Sequence, residues 1–150
     1  MCELPRLTRI KTGSKFKGVM PHVLKELSIL ALDYNRDHPR NFTPEFNCIS
    51  IAMSASTILR FGANKYKTHT FTKKMYHDHN LKSIHAEADM VMKLLKFNEI
   101  KKVTDIITIR GTSKLLPSHP CKVCTVLFSM YFDAVRLWYY DGKNWNVSLI

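Results

Sequence analysis

Apolar residues recur at helical spacing in three stretches of this chain, and each stretch follows a residue suited to a helix start. Pro21 opens the first, because proline lacks the N–H that would be unsatisfied in a first turn. Ser83 is expected to cap the second, which begins near Ile84, and Pro120 opens the third, which runs to about Phe132. The predicted core-facing residues are Val23, Leu24, Leu27, Leu30 and Ala31; Ala88, Val91, Met92 and Leu95; and Leu127, Phe128 and Tyr131.

Five shorter apolar stretches are predicted to be β-strands, at residues 46–53, 57–62, 103–110, 134–140 and 145–150. The third is apolar enough for a central strand that is buried on both faces. Helices that alternate with strands imply crossover connections and a mixed sheet. We therefore predict a three-layer α/β/α fold with a five-stranded mixed sheet.

The last two predicted strands flank Asp141-Gly142, a dipeptide typical of tight hairpin turns. A parallel fifth strand would need a crossover of about a dozen residues or more. Only ten residues follow Tyr140, which is too few for that crossover. The sheet is therefore predicted to end in an antiparallel hairpin.

The chain has 150 residues, enough for one well-packed domain and too few for two. Residues 1–20 are basic and turn-rich, so we expect a basic N-terminal extension and a single domain over residues 21–150. A net charge of +11 favours anionic partners such as nucleotides or nucleic acid. With no membrane-length apolar run and no apolar signal core near the N-terminus, we expect a cytoplasmic protein with reduced cysteines and no membrane partner.

Two short motifs carry candidate metal chemistry, His85-Ala86-Glu87 and Pro120-Cys121-Lys122-Val123-Cys124. Zinc prefers imidazole and thiolate ligands, and a catalytic zinc keeps three protein ligands and leaves the fourth position for water. Two cysteines three residues apart at a helix start share one face, and the helix N-terminus favours the thiolate. Both motifs lie at predicted helix starts, so two neighbouring helices on one sheet face would bring His85 to the cysteines and leave Glu87 beside the open position.

A closed structural zinc site is the alternative interpretation, in which Glu87 is only a surface residue at a helix start. Such a site normally has four protein ligands, and His119 is the candidate for the fourth. A second, structural zinc is a further alternative. The residues available to hold it are His69, His77, His79, His119, Cys2 and Cys48.

The two motifs together resemble the signature of the cytidine deaminase-like superfamily of zinc-dependent nucleobase deaminases. The resemblance covers about residues 46–150 and implies a five-stranded sheet with helices on both faces. It implies that His85, Cys121 and Cys124 hold Zn²⁺ and that Glu87 shuttles protons during hydrolytic deamination. The segment Phe61-Gly62-Ala63-Asn64-Lys65 is similar to a strand end of that family whose asparagine commonly contacts the sugar.

Candidate substrate contacts therefore lie after the second predicted strand. Asn64 is the candidate for contact with the sugar. Lys65 and Lys67 follow it, within reach of a 5′-phosphate, and Arg110 at the end of the central strand is another phosphate candidate.

Three functions remain open from the sequence. A deaminase of a free cytosine nucleoside or nucleotide (cytidine, deoxycytidine or dCMP) is favoured by the compact size and the short C-terminus. A polynucleotide deaminase acting on RNA or single-stranded DNA is favoured by the +11 charge and the basic N-terminus. A catalytically inactive zinc-binding structural or interaction protein is disfavoured, because Glu87 and all three candidate ligands are present.

Further features of the sequence resemble particular branches of this superfamily. A terminal hairpin resembles the free-cytidine branch, whereas His85 departs from the three-cysteine site of that branch. Residues 64–69 and 138–142 look similar to small deaminases of viruses and phages, which would place the protein in the host cytoplasm. Members of this superfamily often assemble, so a homo-oligomer is a further expectation.

Overall fold

Five strands in the described part of the chain form one mixed sheet. The structure, a computed structural model, describes residues 10–38, 47–65 and 85–150. The strands are β1 (Cys48–Ser54), β2 (Thr57–Ala63), β3 (Asp105–Arg110), β4 (Arg136–Tyr140) and β5 (Trp145–Leu149). Their order across the sheet is β2-β1-β3-β4-β5. The β3–β4 pair is parallel and the other neighbouring pairs are antiparallel.

Helices cover both faces of this sheet. On one face, α1 (Met20–Asp37) packs against side chains of β1, β2 and β3. On the other face, α2 (Ala86–Lys96) and α3 (Lys122–Tyr131) share a second apolar cluster with β1, β3 and β4. A short 3-10 helix, Ile100–Lys102, follows α2. None of the described helices is long and apolar enough to cross a membrane.

The predicted three-layer architecture is confirmed, including the central position of β3 and the antiparallel β4–β5 hairpin. Asp141 and Gly142 make the turn as predicted. The carboxylate of Asp141 accepts the backbone N–H groups of Lys143 and Asn144, each at 2.8 Å. Gly142 has a φ of +106°, a conformation that side chains disfavour. The turn chemistry therefore explains why the chain reverses at this point.

The prediction of the core-facing stripe of α2 is partly wrong. Met90 and Leu94 are fully buried, whereas Leu95 is 37% exposed and Met92 is half-buried. The backbone of α2 approaches β2 closely at Met90, and this contact turns the face that carries Met90 and Leu94 towards the sheet. Met92 and Leu95 are next to that face, so they lie at the margin of the buried surface and stay partly exposed.

Two helix starts also differ from the prediction. α2 begins at Ala86 because His85 has the extended backbone of an N-cap, and Ser83 lies outside the described residues. α3 begins at Lys122, so Pro120 precedes the cap instead of occupying the first turn. Cys121 is the N-cap because its Sγ accepts the backbone N–H of Cys124, a role that proline cannot perform.

The described part of the basic N-terminal segment contacts the sheet. The backbone N–H of Gly13 donates to the carbonyl of Ile58 at 2.7 Å, and the N–H of Ile58 donates to Ser14 at 2.9 Å. Ile10 is buried in the cluster beneath α1. These contacts lie along β2, and the domain boundary at residue 20 stays a prediction.

A buried carboxylate ties the start of β3 to the start of β4. Asp105 is fully buried and accepts the indole N–H of Trp138 at 2.9 Å and the hydroxyl of Thr104 at 2.8 Å. Its other partner is the guanidinium of Arg136, whose Nε lies 2.8 Å away. Since a buried carboxylate is tolerated when its oxygens are paired, this network fixes the register between the two parallel strands.

Replacing Asp105 by alanine is therefore expected to lower the free energy of unfolding by about 3 kcal/mol, because the indole N–H of Trp138 loses its acceptor and Arg136 its counter-charge. Urea unfolding followed by tryptophan fluorescence measures this loss. Asp133→Ala, at an exposed aspartate, is the matched control and should change stability by less than about 0.5 kcal/mol. A loss below about 1 kcal/mol for Asp105→Ala would show that the network is dispensable.

Candidate active site

The strand directions bring two helix starts to one edge of the sheet. β2 is antiparallel to β1, and β1 is antiparallel to β3, so β2 and β3 run in the same direction. Their carboxyl ends therefore meet at the same edge. α2 follows β2 along the chain and α3 follows β3, on the same face, so both helices begin at that edge. His85 and Cys121, the two N-cap residues, lie there.

His85, Cys121 and Cys124 form a cluster that could hold a metal ion. Their ligand atoms all lie within 4.8 Å of one another. The Nδ1 atom of His85 is 3.4 Å from the Sγ of Cys124 and 3.5 Å from the Sγ of Cys121. Tetrahedral zinc with Zn–S of about 2.3 Å and Zn–N of about 2.0–2.1 Å requires an N···S separation of about 3.6 Å. The donor set and its spacing therefore fit zinc, as the sequence predicted.

Hydrogen bonds favour the thiolate at Cys121, against the opposing effect of partial burial. The pKa of Cys121 is lowered to about 3, first by the hydrogen bond with Cys124 and then by that with His85. The pKa of His85 is raised, mainly because its ring is hydrogen-bonded to that thiolate. Without metal, both shifts favour an imidazolium at His85 beside a thiolate at Cys121. Metal binding replaces the imidazole proton, as expected when ligands must be deprotonated to coordinate.

Glu87 lies beside this cluster in the first turn of α2. It is buried, with 6% of its surface exposed, and its Oε2 accepts the thiol of Cys124 at 3.5 Å. Burial raises the pKa of Glu87, although its backbone hydrogen bond and the charge of His85 oppose that effect. A carboxyl group with a raised pKa is a stronger proton acceptor than an exposed glutamate and still returns the proton. This is the property that a proton shuttle needs.

A second buried carboxylate, Asp89, links the end of β2 to α2. Its Oδ2 accepts the backbone N–H of Ala63 at 3.1 Å, and its Oδ1 lies 3.1 Å from the Nζ of Lys65. Lys93 is a second cationic partner at 3.2 Å. Asp89 was not among the residues predicted from the sequence. The sequence feature that could have indicated it is its position in the first turn of a helix, two residues after Glu87, where negative charge is favoured.

Two of the predicted substrate contacts, Asn64 and Lys65, lie at the same edge of the sheet. Asn64 continues the β1–β2 pairing: its Oδ1 accepts the backbone N–H of Cys48 at 2.9 Å, and its own N–H donates to the Cys48 carbonyl. Lys65 is 44% exposed and pairs with Asp89, and Lys67 lies outside the described residues. Their roles as substrate contacts stay predictions.

Further metal ligands are not found at His119 or Cys48. Within the described residues, the metal-ligand cluster includes neither of them. His119 instead packs edge-on against Tyr139, and its Nδ1 lies 2.7 Å from the carbonyl oxygen of Pro120. The other residues considered for a second zinc, His69, His77, His79 and Cys2, lie outside the described residues.

Gly62 permits the close approach of β2 and α2 that positions Glu87. A Cβ atom added at Gly62 would lie 2.2 Å from the carbonyl oxygen of Ala86 and 2.4 Å from the backbone nitrogen of Met90. Both contacts are with backbone, so α2 would have to move. This constraint is not visible in the sequence, because it depends on a contact between residues distant in the chain.

Gly62→Ala is expected to lower the free energy of unfolding by about 1–3 kcal/mol and to weaken zinc binding, because the shift of α2 displaces His85 and Glu87. Chemical denaturation and zinc titration measure the two effects. Gly13→Ala is the matched control: its φ is +86° and no atom lies within 4 Å of the added Cβ. That variant should lose about 1 kcal/mol of stability and keep its zinc affinity. Unchanged zinc affinity in Gly62→Ala would contradict the positioning role.

Solved cytidine deaminases share this fold. The cytidine deaminase from Burkholderia pseudomallei matches with a TM-score of 0.57 at 12% identity, covering 88% of this chain and 93% of that chain. The enzyme from Mycobacterium leprae matches with a TM-score of 0.54 at 14% identity, covering 87% of this chain and 94% of that chain. No protein-family model and no curated protein sequence matches this chain. The chain therefore has the fold of these cytidine deaminases, and it carries the His85, Cys121 and Cys124 cluster at one edge of its sheet.

Proposed function

We propose that this protein deaminates cytosine in a free nucleoside or nucleotide, converting cytidine, deoxycytidine or dCMP to the uracil form and ammonia. The observation that carries the proposal is the buried carboxylate of Glu87, 3.5 Å from a thiol of a cluster that fits zinc. A purely structural site has no need of a buried carboxylate with a raised pKa at that place. The fold supports the same class of activity.

In this proposal, His85, Cys121 and Cys124 hold the metal, which supplies Lewis-acid activation of a water molecule. Glu87 accepts a proton from the attacking water and delivers it to the ring nitrogen next to the amino-bearing carbon. It then carries the second proton to the leaving amino group, so that cytosine and water give uracil and ammonia. One carboxylate suffices because the two transfers occur one after the other.

Charge favours a second candidate function, deamination of cytosine in RNA or single-stranded DNA. The net charge of +11 would attract a polyanion, and binding through phosphate contacts weakens steeply as salt increases. The direct antiparallel β4–β5 hairpin, which resembles the free-cytidine branch, favours the free substrate instead. The two candidates therefore differ in the substrate that turns over.

Ammonia release from a panel of substrates tests the proposal. Zinc-loaded protein is incubated with cytidine, deoxycytidine, dCMP, dCTP, adenosine and cytosine-bearing oligonucleotides. We expect release from at least one free cytosine substrate, its loss after chelation and its return with added zinc. Release from oligonucleotides alone would establish the second candidate, and no release from any substrate would exclude both.

A further inference from the structure

Arg110, the last residue of β3, carries an unsatisfied buried nitrogen. Its Nε is buried and has no hydrogen-bond partner among the described residues. The other arginines of the described residues each pair with a carboxylate: Arg36 with Asp33, Arg60 with Glu99 and Arg136 with Asp105. None of the ion pairs among the described residues includes Arg110. Leaving a buried donor such as this Nε unpaired costs about 1–3 kcal/mol. The guanidinium of Arg110 is therefore suited to binding an anionic ligand.

The register of β3 gives the face on which the side chain lies. Ile106 belongs to the cluster with α2 and α3, whereas Ile107 and Ile109 belong to the cluster with α1. Because successive side chains of a strand alternate, Thr108 and Arg110 face the same side as Ile106. That side carries α2 and α3.

The neighbouring strand supports this assignment. Ser50 pairs with Thr108, and its hydroxyl contacts the sulfur of Met90 in α2 at 3.5 Å. Cys48 pairs with Arg110 one step nearer the edge at which α2 and α3 begin. Arg110 therefore lies at the end of the sheet that carries the candidate active site, on the same face as Glu87 and the metal-ligand cluster.

We propose that Arg110 binds the 5′-phosphate of a nucleotide substrate and thereby selects the nucleoside monophosphate over the nucleoside. This inference rests on the proposed deaminase function and specifies its substrate. A guanidinium offers several N–H donors in one plane, which suit the oxygens of a phosphate monoester. Lys65, another described cation at this edge, already pairs with Asp89. Among the described arginines, Arg110 is the one without a carboxylate partner.

A phosphodiester backbone presents similar oxygens, so the chemistry alone does not separate a mononucleotide from a polynucleotide. The burial of the Nε of Arg110 favours the mononucleotide. Polynucleotide backbones are generally tracked by positively charged grooves at the surface, whereas a terminal phosphate can enter a recess. An oligonucleotide is therefore included in the test.

Steady-state kinetics of Arg110→Gln with dCMP and with deoxycytidine tests the assignment. The variant should lose about 10- to 100-fold in kcat/KM for dCMP, mainly through KM, because it loses charge-assisted hydrogen bonds. Its kcat/KM for deoxycytidine should stay within about threefold. Arg110→Lys keeps the charge and should lose less than Arg110→Gln. Lys102→Gln, which removes an exposed charge from the 3-10 helix, controls for long-range attraction and should leave both substrates unaffected. Equal losses for both substrates, or none, would overturn the proposal.

Calorimetric binding of the products, dUMP and deoxyuridine, separates this inference from the proposed function, because binding needs no turnover. Wild-type protein should bind dUMP at least about tenfold more tightly than deoxyuridine, and Arg110→Gln should abolish that difference. If the protein deaminates nothing and still shows this dependence, the phosphate site stands and the deaminase proposal fails. If wild type and Arg110→Gln turn over both substrates equally, the deaminase stands and the phosphate site fails. Weakened binding of a cytosine oligonucleotide alone would overturn the mononucleotide assignment.

Discussion

Replacing Glu87 by glutamine is expected to reduce turnover by about 10²–10⁴-fold, because the amide can neither accept the proton of water nor return it to the base. Glutamine has nearly the same shape, and the three candidate ligands remain, so zinc content should not change. Ammonia release gives the turnover and elemental analysis gives the metal. Retained turnover in a zinc-loaded Glu87→Gln protein would refute the shuttle role.

The same variant has an expected effect on the metal-free protein. Burial raises the pKa of Glu87 above its ordinary value of 4.5, so the folded state holds this proton more tightly than the unfolded state. The contribution of the carboxyl to stability is present below pH 4.5 and is lost as pH rises through the folded-state pKa. Glutamine does not ionise, so Glu87→Gln should remove this pH-dependent loss of stability. Thermal melts of chelator-treated protein between about pH 4 and pH 8 would show it, and identical pH profiles for the two proteins would contradict it.

Replacing Cys121 by serine is expected to reduce zinc affinity by more than about 100-fold, since losing a hydrogen-bond partner of a ligand alone costs about 10–100-fold. Cys121 is exposed, so the substitution removes a thiolate with little effect on packing. Stabilisation by zinc should fall by at least about 2.7 kcal/mol at a concentration that saturates the wild type. Deaminase activity should disappear with the metal.

Cys48→Ser is the matched control, because Cys48 is a half-buried cysteine outside the metal-ligand cluster found among the described residues. Zinc titration and thermal melts with and without chelator should leave this variant equal to wild type in metal content. If Cys121→Ser still bound one zinc per chain with undiminished affinity, the cluster would not be the metal site. Loss of zinc from Cys48→Ser would instead add Cys48 to the ligands.

The sequence predicted those parts of the molecule that depend on local chemistry. Asp141-Gly142 identified the terminal hairpin because its turn needs a side-chain acceptor and a positive φ, both of which are local. The apolar run before Arg110 identified the central strand, because a strand that is buried on both faces has consecutive apolar residues instead of alternating apolar and polar ones. The two metal motifs were found because few residue types ligate zinc, and helix starts are recognisable.

What the sequence did not predict depends on contacts between distant segments. Gly62 is an ordinary strand residue until the backbone of α2 lies against it. Asp89 could equally have been an exposed helix-start carboxylate, and its burial follows from the end of β2 folding over it. Arg110 was a candidate by position alone. That its Nε has no partner is a property of the folded surroundings.

The common direction of β2 and β3 has a consequence for how the metal site assembles during folding. Cys121 and Cys124 are neighbours in the chain, but His85 is 36 residues from Cys121, and β3 lies between them. The cysteine pair can take up an ion weakly as soon as its helix forms, whereas the histidine joins only once β3 has docked beside β1. Tight zinc uptake during refolding should therefore follow the rate at which β3 docks beside β1, which makes the metal a reporter of that long-range pairing.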